Sequence, residues 1–174
     1  MNDIGTNRIK GLCSTLEVKR LVTSDKVGAW CRLPYPGHPR GCPNIGRPPF
    51  CPPGSVHIVD YLDTSRPIYL VYSFFHLESH AEWMKCRHPH WTDRQCRNVL
   101  YWQGSVRAEL RRNVSAAMSF LGCDAVTYCP EGQGVNVFAT ARLAGLRLDK
   151  TRRIRIDHHI ALIGHSAEEA HGWL

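Results

Sequence analysis

Between Trp30 and Pro53 the chain carries eight of its eleven prolines, three glycines and three of its eight cysteines. Proline fixes φ and removes a backbone donor, which excludes a long helix or a central strand from this stretch. It must be a loop. Linkers seldom carry three thiols, so the segment Trp30-Cys31-Arg-Leu-Pro-Tyr-Pro-Gly-His-Pro-Arg-Gly-Cys42-Pro-Asn-Ile-Gly-Arg-Pro-Pro-Phe-Cys51-Pro-Pro53 is expected to wrap around something.

What it wraps depends on the redox compartment. No run of residues approaches the eighteen or so apolar positions that a membrane span requires. The opening residues Met1 to Leu12 lack the apolar core of a secretory signal, so the chain is expected in the cytoplasm, with no membrane partner. In a reducing cytosol eight cysteines point to metal ligation or catalysis before disulfides. A chain of 174 residues with 43% hydrophobic and 21% charged positions suits a single domain over 1–174, with the loop at 30–53 and a core at 66–163. The formal charge of +7 permits contact with nucleic acid or another anion without specifying it.

The rest alternates strand and helix patterns. Leu16 to Val18 and Leu21 to Thr23 have the character of short strands. The aromatic and β-branched run Ile68 to Phe75 fits a strand buried on both faces. Leu77 to Lys85 suits a short helix. Thr92 and Gln95 match a capping box, predicting a helix from there to about Leu121. Its apolar positions Val99, Trp102, Val106, Leu110, Val114, Ala117 and Leu121 form one stripe. Arg94, Arg97, Arg107 and Arg111 fall largely off it, as a solvated face would. Gly122 is a stop signal, Asp124 to Tyr128 a strand, Val135 to Ala144 a helix closed by Gly145, and Arg153 to Ile163 a strand with one wetter half. The expected fold is α/β or α+β: a small sheet of about three to five strands packed with helices, preceded by the Cys/Pro-rich loop.

Cys42, Cys51 and Cys129 are each followed by proline. Proline holds the preceding residue extended, so a ligand there presents its sulfur from a chain that turns away and does not run on as helix. Bacterial ferredoxin runs also end in Cys-Pro, although their spacings are absent here, as is any Cys-x-x-Cys pair. Glycines beside the thiols let backbone N–H groups approach cluster sulfurs. The candidate ligand set is Cys31, Cys42, Cys51 and Cys129, with Cys96, Cys123 and Cys86 as further candidates, and Cys13 in a structural role. Cys86, His88, His90 and Cys96 are alternatively a tetrahedral zinc set, or a loop and cap.

The loop that ends in Cys51-Pro52-Pro53, together with the late segment Gly134-Val-Asn-Val-Phe-Ala-Thr-Ala-Arg-Leu-Ala-Gly145, resembles an uncharacterised family of predicted metal-binding proteins thought to carry iron–sulfur clusters. The resemblance spans roughly residues 30 to 163. It implies an iron–sulfur cofactor of the 4Fe–4S kind on the cysteine loop. The late cysteines are thinned here to Cys123 and Cys129.

His158 and His159 are neighbours on a strand and so point to opposite faces, which disfavours a shared site. Glu131, directly after Cys129-Pro130, is the carboxylate best placed for acid–base work, with a plain surface role the favoured alternative. The leading expectation is an iron–sulfur protein with a redox partner or a small-molecule substrate. With three protein ligands the cluster would keep one iron open as a Lewis acid; with four, electron transfer is favoured. A zinc-stabilised module that binds nucleic acid through its basic surface is the alternative. A metal-free cysteine nucleophile would need a low-pKa thiol beside a histidine, a pairing the sequence does not display.

Overall fold

The computed structural model describes residues 8–34, 38–47, 50–149 and 154–167, and it pairs the aromatic run on both of its edges. The strands are β1 (Arg8–Ile9), β2 (Leu12–Glu17), β3 (Tyr69–Phe75), β4 (Ala125–Thr127) and β5 (Asp157–Gly164). They form one antiparallel sheet in the order β1-β2-β3-β5-β4. Among the described residues every strand pair is antiparallel, and the fold is α+β. The Cys/Pro-rich loop leaves the sheet between β2 and β3, two strands that lie side by side.

Six helices accompany the sheet: α1 (Val27–Trp30), α2 (Ile58–Tyr61), α3 (Leu77–Arg87), α4 (Asp93–Cys96), α5 (Gln103–Leu121) and α6 (Val137–Leu143). Alternation along β3 and β5 sends side chains to two different layers. Val71, Ala161 and Ile163 meet Leu110, Val114 and Ala117 of α5 on one face. On the other face Leu70, Tyr72 and Leu162 meet Ile58 of α2 and Val137 and Ala141 of α6. Among the described residues no helix is long and apolar enough to cross a membrane.

The long helix starts later than its capping box predicts. The box is real, with Thr92 Oγ1 accepting from Gln95 N and Gln95 Oε1 from Thr92 N, but it starts only the single turn of α4. Asn98 then turns extended and its side chain caps Leu100 N, opening a 3-10 turn over Val99–Tyr101. Val99 therefore leaves the stripe and lies exposed, while Trp102, Val106, Leu110, Val114 and Ala117 are buried as the periodicity requires. Gly122 ends α5 in the left-handed conformation at φ +69°, as its position predicts.

Elsewhere the boundaries shift by a few residues. Leu21 to Thr23 makes only an isolated bridge, Thr23 to Val135. The final strand begins at Asp157, because Arg155 N and Ile156 N donate to the Asp149 carboxylate before it. Arg153, the predicted start, lies outside the described residues. Along β5 the half-exposed residues come first and the buried ones last, so the strand has the one wetter half expected of it.

Candidate metal centre

The segment after α1 is held by its own backbone. Cys42 N donates to Cys31 O at 2.7 Å, Cys51 N to Arg47 O at 3.2 Å and Gly46 N to Pro52 O at 2.7 Å. Gly41 is needed here: its φ is +84° and a Cβ would run into the carbonyl oxygen of Cys31. These bonds fold the loop so that Cys31, Cys42 and Cys51 face the same region.

The fourth thiol comes from the sheet. At the end of β4, Thr127 Oγ1 accepts from Cys129 N, and Pro130 turns the chain away. A tight turn follows, in which Gly132 N donates to Cys129 O at 3.0 Å, while Gln133 N and Val135 N donate to Pro130 O. This turn sits directly on the cysteine loop. A Cβ on Gly132 would collide with the carbonyl oxygen of Phe50, and Ser55 Oγ donates to Gly132 O at 2.7 Å. Ile58 N donates to Gln133 O, which locks the far end of the loop to the same turn.

Cys42 and Cys51 each act on Cys31 and on Cys129. Cys129 keeps a surface open to solvent, but the protein crowded round its thiol pushes it up to about 11, and Cys51, Glu131 and Cys42 add to the shift. Burial likewise raises Cys31, reinforced by Cys42, Glu131 and Cys51. Chain segments almost a hundred residues apart thus bring Cys31, Cys42, Cys51 and Cys129 into one neighbourhood, with Glu131 beside them. The Glu131 side chain keeps a surface open to solvent, but the protein crowded round its carboxyl raises its pKa.

Among the described residues no group of three or more His, Cys, Asp or Glu side chains is placed so as to hold a metal ion.

One residue that the sequence reading passed over belongs to this picture. Gln133, in the same turn as Cys129, is 1% exposed, and neither its Nε2 nor its Oε1 has a hydrogen-bond partner. A buried amide left unpaired costs on the order of 1–3 kcal/mol. A polar side chain between two glycines just after Cys-Pro was the available clue.

The other thiols go elsewhere. Cys96 is buried against Ala81 and Met84 between α3 and α4, apart from the thiol group. Cys86 is exposed, His88 stacks on Trp91 at 4.0 Å between ring centroids, and His90 is exposed. Cys123 packs with Val71 and Leu110 at the start of β4, the opposite end of that strand from Cys129. Cys13 lies exposed on β2 near the edge of the sheet, which leaves it little packing to contribute.

Beside Cys129 the sheet edge opens. β4 pairs with residues 162–164 of β5, so beyond Thr127 the first half of β5 has no paired strand on that side among the described residues. The gap is a crevice of about 560 Å³ between α5 and α6, reached by Cys129 and Glu131 from one side and by Asp157, His158 and His159 from below. The two histidines do point to opposite faces: His158 lies near Tyr72 and Phe74, His159 near Trp102. Both are among the residues that line the crevice.

Comparison with family models, curated proteins and solved structures finds no match to this chain, so its functional reading stands on its own residues and their geometry.

Proposed function

We propose that the chain is an iron–sulfur protein, with Cys31, Cys42, Cys51 and Cys129 holding a cluster of the 4Fe–4S kind. The observation that carries this reading is that Cys42 and Cys51, on a proline-stiffened loop, lie close enough to both Cys31 and Cys129 to raise each of those thiols. Four thiolates in one place repel, and burial adds to the cost. A cationic inorganic core offsets both, and binding it releases the thiol protons. Such a centre supplies one-electron transfer. The protein's part is to hold the sulfurs, exclude water on the loop side and offer N–H donors, for which the Gln133 amide is available. The reading places the protein in the cytoplasm, where thiols stay reduced.

Anaerobic purification followed by iron, sulfide and zinc analysis tests it. The expected result is brown protein with matching iron and acid-labile sulfide, and absorbance that bleaches with dithionite. Colourless protein with stoichiometric zinc and salt-sensitive affinity for DNA or RNA would instead favour a zinc-stabilised nucleic-acid module. Protein free of both metals would remove the proposal.

A further inference from the structure

We propose that the crevice beside Cys129 binds a small organic anion, its carboxylate or phosphate held by Arg107 and Arg111 and its apolar body laid against α6. The cavity, about 560 Å³, has the size of a small-molecule site. Arg107 and Arg111 stand one helical turn apart on α5, on the same side of the helix, and both line it. Among the described residues neither guanidinium is in an ion pair. Two unpaired guanidinium groups in register form a fork suited to an oxyanion.

The facing wall has the opposite character. Val137, Phe138 and Leu148 present carbon to the cavity, and Phe138 leaves 51% of its surface exposed there and beyond. An anion alone would leave that wall wet, so an organic acid with an apolar or aromatic body fits better than a free inorganic ion. The floor, His158 and His159, offers hydrogen bonds from imidazoles that burial keeps towards the neutral form. Glu131 and Asp157 also face the crevice. Asp157 lies against His159 at 3.5 Å and Glu131 acts on the thiols Cys31 and Cys129; neither is in an ion pair with the arginines among the described residues.

That such a ligand is a substrate for the thiol-bound centre rests on the iron–sulfur reading; the binding itself does not. Isothermal titration of the full chain with phenylphosphonate, phenylacetate, inorganic phosphate and benzyl alcohol tests the binding. The two phenyl acids should bind at least tenfold more tightly than benzyl alcohol and than inorganic phosphate, and the tighter of them identifies the preferred head group. R107Q/R111Q should weaken both at least tenfold. R112Q, on the same helix but outside the crevice, should leave them unchanged, and F138S should weaken the phenyl acids but not phosphate. Equal affinity in R107Q/R111Q, an equal loss in R112Q, or no binding of either phenyl acid would overturn the proposal. Repeating the titration on C31S separates the two readings: binding that survives without iron upholds the crevice whatever the metal analysis returns.

Discussion

Nε2 of His159 stands 3.5 Å from Oδ1 of Asp157, two residues back on the same face of β5. Burial, more than this contact, sets both groups. It pushes Asp157 up to about 6 and His159 down, with Arg107 adding to the second shift. At neutral pH the pair is therefore mainly a carboxylate beside a neutral imidazole.

The raised carboxyl makes a stability prediction. Between about pH 4 and pH 6 the folded chain holds a proton on Asp157 that the unfolded chain has lost, so this group costs stability as pH rises through that window. His159 and His158 act in the opposite sense, since their lowered values favour the fold as pH rises. The comparison with D157N isolates the carboxylate. D157N should match the parent near pH 4 and exceed it by about 1–2 kcal/mol at pH 7.5, after allowance for partial solvent access. Urea unfolding of both proteins across that range measures the gap, and a constant difference would refute the assignment.

Gln133 should behave oppositely in the two states of the protein. Replacing an orphaned buried amide by leucine of similar volume should raise the stability of metal-free protein by about 1 kcal/mol. In metal-loaded protein Q133L should lose a hydrogen bond to the centre and lower its reduction potential. Thermal unfolding without metal and a redox titration with metal check the two halves separately.

Gly132 lies where the loop and the turn touch. G132A should force the Phe50 carbonyl away, at a cost of about 1–3 kcal/mol. The expected signature is loss of bound iron with the circular-dichroism spectrum of the sheet and α5 retained. G145A, at a glycine with open space around it, controls for the glycine change itself, though its φ of +96° carries its own strain.

Serine substitutions should divide the cysteines by location. C31S, C42S, C51S and C129S should each lower iron content strongly. C13S, C86S and C123S should keep it, and C96S should keep it while losing roughly 1 kcal/mol of stability from its buried site. Iron and sulfide analysis of each purified variant reads the division.

Much of this was legible because it depends on local chemistry. The aromatic run of β3, the stripe of α5 from Trp102 onward and the Gly122 stop are written in side-chain period and backbone freedom. The start of α5 was not. The capping box at Thr92 is a strong local signal, and only the competing cap of Asn98 limits it to one turn. Three of the four candidate ligands, Cys42, Cys51 and Cys129, were singled out by the proline that follows them, whereas the crevice was invisible. It exists because β4 is three residues long, and strand length at a sheet edge is decided by pairing partners far away in sequence. Arg107 and Arg111 therefore read as a wet helix face until the missing stretch of edge is seen beside them.

The splice of the cysteine loop between β2 and β3 carries a consequence for how the chain assembles. Two adjacent strands must find each other across about fifty intervening residues, a search whose entropic cost grows with the length of the tether. A knot tied early at Cys31, Cys42 and Cys51 would shorten that tether before the strands meet. Iron delivery would then quicken folding as well as complete the product, and refolding rates with and without the ion would register it.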